Sequence, residues 1–207
     1  MGVTDAAFAN AVREAGGHPT DAAVRAVHAE LLARWSEPQR HYHTVDHLSS
    51  MLSLVEDPVV ALAVWGHDVV YDPRATGDTN EERSAQLITG LLQRCAVPAA
   101  VVVEVARLVR LTAAHAVDPA DDRGIALADA DLAILAGPPA AYDRYVAAVR
   151  AEYAHVPDDL WRAGRGAVLQ RLLALPRLFH RSPGLESPAR ANLTRELAGL
   201  AQDPRNS

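Results

Sequence analysis

A chain of 207 residues can bury a sizeable core, and 49% hydrophobic against 22% charged residues is the balance of an ordinary globular protein. The formal charge of −6 opposes broad attraction to nucleic acid or to an anionic membrane surface. The single cysteine, Cys95, excludes an intrachain disulfide and a thiolate zinc cluster; all 20 basic residues are arginines, so lysine chemistry is excluded too.

The opening MGVTDAAFANAVREAGG has no basic segment leading into an apolar run, and the longest strongly apolar stretch, 59–65, is too short to span a bilayer. The expected location is therefore the cytoplasm. Helices are expected over 21–35 and 44–55. Asp57 followed by Pro58 is an N-cap with proline at the first helical position, opening VVALAVWGHDVVY. Thr79 and Glu82 have capping-box spacing and open a helix through about Arg94. Pro98 opens AAVVVEVARLVRLTAAH, in which Val101, Val105, Leu108 and Val109 recur at helical spacing. Further helices are expected over 126–135, 140–153, 160–179 and 188–201, with Pro176 kinking or ending the third of these. The final QDPRNS should fray. Alternating apolar and polar runs joined by hairpin turns are missing, so the pattern predicts an all-α fold.

Histidines carry the chemical signal. His41, His43 and His47 lie in RHYHTVDH, and His67-Asp68 follows one helix later, at the end of an almost wholly apolar stretch. An imidazole and a carboxylate buried there are costly unless hydrogen-bonded or bound to a cation. His43 and His47, four apart, share a helix face if their helix starts early enough. Asp129-Ala130-Asp131 opens another apolar segment, LAIL. Each residue alone has an ordinary reading: a hydrogen-bonded core histidine, a cap, or a partner for Arg107, Arg110 or Arg123. The combination on three separate segments is what suggests a metal. The zincin pattern fails because Thr44 stands where a glutamate must follow the first histidine, and a di-iron bundle fails because only Glu152 and His155 give the required spacing.

The ordered set His47, His67-Asp68 and Asp131, together with RHYHTVDHL, WGHDVVYDP, NEERSA, LTAAH, DADLAIL, YVAAVRAEY and ARANLTREL, resembles the HD superfamily of metal-dependent phosphohydrolases, in particular a branch without an assigned substrate. The resemblance runs from Arg40 to Leu197. It implies an HD-domain-like helical bundle with additional C-terminal helices: one domain over 1–207, its core at about 40–136 and an extension at about 137–201. It also implies one divalent ion (Mn, Fe, Co, Ni, Zn or Mg) held by His47, His67, Asp68 and Asp131, with His43 the rival of His47 and Asp129 the rival of Asp131. In that scheme Asp68 also orients the attacking water, and His43 and His115 contact the substrate or protonate the leaving group. Arg40 would clamp phosphate, and Glu81 would support the substrate site. The implied partner is a small phosphorylated substrate such as a nucleotide, with no membrane and no extended nucleic acid; the alternative is a non-catalytic metal- or ligand-binding regulator. The Glu-Asp pair used by guanosine-tetraphosphate hydrolases of the superfamily is replaced here by Tyr71-Asp72, so that activity is not implied. Arg150, Glu152, Tyr153, Arg165 and Arg190 lie beyond the minimal motif, and Glu152 reads as a surface residue.

Overall fold

The structure is a computed structural model that describes residues 2–77 and 79–202; Asp78, and residues 203–207 of the QDPRNS stretch, lie outside the described residues. Among the described residues there is no strand, and ten α-helices and two short 3-10 turns make the fold all-α, as the punctuation predicts.

The first two helices, α1 (Asp5–Glu14) and α2 (Asp21–Trp35), each follow a threonine whose hydroxyl accepts a backbone N–H three residues on: Thr4 from Ala7 and Thr20 from Ala23. Helix α1 was not among the expected elements, although Thr4-Asp5 is a local start signal. Thr44 caps α3 (Val45–Leu52), which begins two residues too late to carry His43. Asp57 caps α4 (Pro58–Gly66), accepting from Val59 and Val60 N–H, with Pro58 at the first position as expected. Every residue from Val59 to Gly66 is buried. A helix that is apolar all round needs neighbours all round, and α4 packs against α1, α3, α5 (Thr79–Arg94) and α6 (Ala99–Leu111). Against α5 it meets Ile88 through a glycine. A Cβ at Gly66 would lie 2.7 Å from Ile88 Cγ1 and 2.9 Å from Ile88 Cβ, so only glycine fits without a shift.

Several expected bounds differ: the 160–179 helix ends at Ala174, and 126–135 is an α-helix over Asp122–Asp131 followed by a 3-10 turn. Helix α4 stops at Gly66 instead of running on to Tyr71, and α6 stops at Leu111, leaving His115 on a turn with φ +53°. The capping-box pair opens α5 at the expected place, but the Glu82 carboxylate is bonded by Arg110 and Gln86.

The chain then forms α7 (Asp122–Asp131), a 3-10 turn at Leu132–Ala136, α8 (Pro139–Glu152), α9 (Asp158–Ala174), a 3-10 turn at Pro183–Leu185 and α10 (Glu186–Ala201). Helix α9 ends at Leu175, whose ψ of 136° is the extended conformation imposed by the proline that follows.

The chain falls into two compact units, Met1–Ala130 and Asp131–Ser207. The first is not confined to 40–136: the helices ahead of it bring Phe8, Val12, Val27, Leu31 and Trp35 into its core. The second has its own core of Leu135, Tyr142, Leu169, Phe179 and Leu193. Beside that core, Arg165 donates to both carboxylate oxygens of Glu196 at 2.7 and 3.0 Å and to the Tyr145 hydroxyl at 3.1 Å. Tyr142 also donates to Glu196. Burial opposes the Arg165 charge, yet Tyr145 and Glu196 hold its pKa above the ordinary value. Among the described residues no single helix is long and apolar enough to cross a membrane.

Candidate metal centre

His47 is the third residue of the short helix α3 and is buried, as are Leu48, Met51 and Leu52. His67 is the C-cap of α4 and Asp68 follows in the turn. These three come together within the first unit. Their ligand atoms all lie within 4.8 Å of one another. His47 Nε2 is 3.2 Å from His67 Nε2, and His67 Nε2 is 3.2 Å from Asp68 Oδ2.

The protonation pattern follows from one hydrogen bond. His67 Nδ1 lies 2.8 Å from the carbonyl oxygen of Val64. A carbonyl only accepts, so Nδ1 carries the proton, and the neutral ring then has a bare lone pair at Nε2. That lone pair faces a carboxylate oxygen at 3.2 Å, a repulsive contact unless a proton or a cation lies between them. Fixing one ring nitrogen to a carbonyl is also how proteins orient metal-binding imidazoles. Ligand atoms about 2.1 Å from a common ion, at angles of about 90–110°, are about 3.0–3.4 Å apart. The two 3.2 Å separations fit that range. Two imidazoles and a carboxylate suit a borderline or hard divalent ion without choosing among Mn, Fe, Co, Ni, Zn and Mg.

Aromatic rings wall the cluster. Trp35 lies 5.3 Å from the His67 ring and 6.4 Å from that of His47, and its indole N–H donates to Trp65 O at 3.1 Å. Tyr42 lies 4.8 Å from the His47 ring. Tyr42 lies within the RHYHTVDHL stretch, whereas Trp35 had no signature in the sequence because it arrives from α2 through tertiary packing.

His43 reaches the cluster from the loop before α3 and not from the His47 helix face. Its ring stacks on Tyr71 with centroids 4.2 Å apart, and Nε2 is 3.8 Å from Asp68 Oδ2. Arg40, expected to clamp phosphate, is instead turned into the protein with its side chain fully buried. Nη1 donates to the carbonyls of His43 (3.0 Å) and Asp68 (2.8 Å); Nη2 donates to Val69 O and to Glu37 Oε2, both at 3.3 Å. The guanidinium lies 5.3 Å from the Trp35 ring centre and 5.5 Å from that of Tyr71. Burial pulls the Arg40 pKa below its ordinary value, against the opposing pull of Asp68 and Glu37.

The remaining expected residues occupy separate places. Glu81 is half-buried in the first turn of α5, and His115 is half-buried on the turn after α6. Asp129 lies within α7 in the first unit, whereas Asp131 ends that helix and is the first residue of the second unit. Glu152, read as a surface residue, is buried. Arg190 donates to Leu173 O and Leu175 O, closing the end of α9. Compared with known proteins, the chain matches no family model, no curated protein and no solved structure.

Proposed function

We propose that the chain is a metal-dependent phosphohydrolase acting on a small phosphoester, with nucleotides the first class to test. The observation that carries this reading is the convergence of His47 Nε2, His67 Nε2 and Asp68 Oδ2 in a buried, aromatic-walled corner. The order of these residues along the chain supports it through the resemblance to the HD superfamily, with Asp131 as the further expected ligand. A bound divalent ion supplies Lewis acidity toward water and toward phosphate oxygens.

The chain's own groups divide the remaining work. His67 is oriented by its Nδ1–H bond to Val64 O, so Nε2 is the nitrogen it presents to a ligand. Asp68 keeps a carboxylate beside that nitrogen and can orient an attacking water. His43, 3.8 Å from Asp68 Oδ2, can exchange a proton with that carboxylate or with a leaving group. His115 and Glu81 remain proposals for substrate contact. Tyr42, Trp35 and Tyr71 limit the access of water to the buried side of the cluster, which strengthens every electrostatic interaction inside it.

The test is metal analysis of the purified protein, then turnover of aryl phosphate monoesters, diesters and nucleotides with Mn²⁺, Co²⁺ or Ni²⁺. Asp68→Ala should lose turnover by at least about 100-fold. Bound metal without turnover on the whole panel would make the chain a metal-binding regulator, and no metal uptake at all would defeat both readings.

A further inference from the structure

We infer that Arg40 is a positioning residue of the metal centre and not a substrate contact, an inference that rests on the metal-binding reading above. Four of its five N–H groups are donated to protein acceptors, and the fifth, on Nε, is buried as well. Both Nη groups are spent on the protein and the partnerless Nε is enclosed, so no fork is left to clamp a phosphate.

The acceptors identify the role. Two are the backbone carbonyls of His43 and Asp68, whose side chains form the outer edge of the cluster; a third is the carbonyl of the next residue, Val69. One rigid guanidinium therefore ties the loop before α3 to the turn after α4. Only a planar fork reaches this many acceptors from one side chain, and an ammonium cannot reproduce the pattern. The faces of Trp35 and Tyr71 fix its plane. Glu37, at the partly exposed edge, holds Nη2 from outside and supplies the balancing charge. The clamp therefore holds together the two backbone segments from which His43 and Asp68 project.

The measurement is the Kd for Mn²⁺ by titration calorimetry, alongside melting of the metal-free protein. Arg40→Lys keeps the charge and loses the fork; its Kd should rise about 10- to 100-fold, the usual loss when the groups that orient metal ligands are removed. Glu37→Ala leaves Arg40 in place but frees Nη2, and its Kd should rise about threefold or more. A purely structural role would lower the melting temperature of Arg40→Lys without moving its Kd. A folded Arg40→Lys with the wild-type Kd overturns the inference; if that variant does not fold, an unchanged Kd in Glu37→Ala overturns it. A wild-type chain that takes up no Mn²⁺ overturns the metal reading and this inference together, whereas wild-type uptake with unchanged variants defeats the inference alone.

Discussion

At His67 the Nδ1–H donates to Val64 O, which turns Nε2 toward His47 and Asp68. Where neither a proton nor a cation bridges them, the Nε2 lone pair and the Asp68 carboxylate repel, and the metal-free site is then a local cost to the fold, the kind of strain that functional sites carry. Asp68→Asn replaces the carboxylate by an amide that can donate to His67 Nε2. The metal-free variant should therefore melt at or above the wild-type temperature while losing Mn²⁺-induced stabilisation, as read by thermal melts with and without the ion. A fall of more than about 4 °C in the metal-free variant, roughly 1 kcal/mol or more for a chain of this size, would count against the proposed repulsion. His47, His67 and Asp68 were legible in the sequence because their polarity conflicts with apolar surroundings. Arg40 was legible as important but not in its role, since its acceptors at Asp68 and Val69 are backbone carbonyls 28 and 29 residues away.

Helix starts are local events, and most of them could be read directly. Asp57 and Pro58 open α4 with the bonds their residue types predict. Asp57→Ala should cost about 1 kcal/mol, within the usual 0.5–2 for an N-cap. The cap also carries a pH signature. Burial alone would raise the Asp57 pKa, but the Arg123 hydrogen bond and the Val59 and Val60 N–H groups outweigh it and hold the pKa below the ordinary value. A carboxylate with a depressed folded pKa contributes fully above the unfolded value, about 3.9, and loses that contribution as the pH falls through the folded one. The gap in urea midpoint between wild type and Asp57→Ala should hold steady from pH 6 to 8 and shrink below about pH 4. A gap that persists undiminished at pH 3 would contradict this. Helix ends were harder to read. Val69, Val70 and Tyr71 continue the apolar pattern, but the carbonyls of Asp68 and Val69 accept from Arg40, that of Val70 from Ser84 and that of Tyr71 from Gln39, contacts with no local signal.

On the scale of the whole chain, each of the two units has its own core and its own buried polar element. In the second unit Arg165 and Glu196 are both almost fully buried. Removing one member of such a pair leaves the other charge uncompensated, at a cost of about 3–5 kcal/mol. Glu196→Ala should lower the denaturation midpoint of the second unit accordingly. Fluorotryptophan NMR can follow it, since Trp161 belongs to the second unit and Trp35 and Trp65 to the first. A midpoint unchanged at Trp161 would show that the pair contributes little. The all-helical class was legible from punctuation and periodicity, but the division at Ala130 was not. No proline- or glycine-rich linker marks it, and α7 runs across it. The pairing of Arg165 with Glu196 was equally hidden, because a separation of 31 residues carries no periodic signature.

Gly66 joins these scales. It is the point where α4 meets Ile88 of α5 with no room for a methyl group, and it directly precedes His67. The reach of the imidazole is thus measured from a contact between two hydrocarbons. A substitution that thickens this seam, whether at 66 or at 88, is expected to shift His67, the proposed ligand, without touching it. Chemistry at this corner can drift only as fast as an apolar contact one residue away permits.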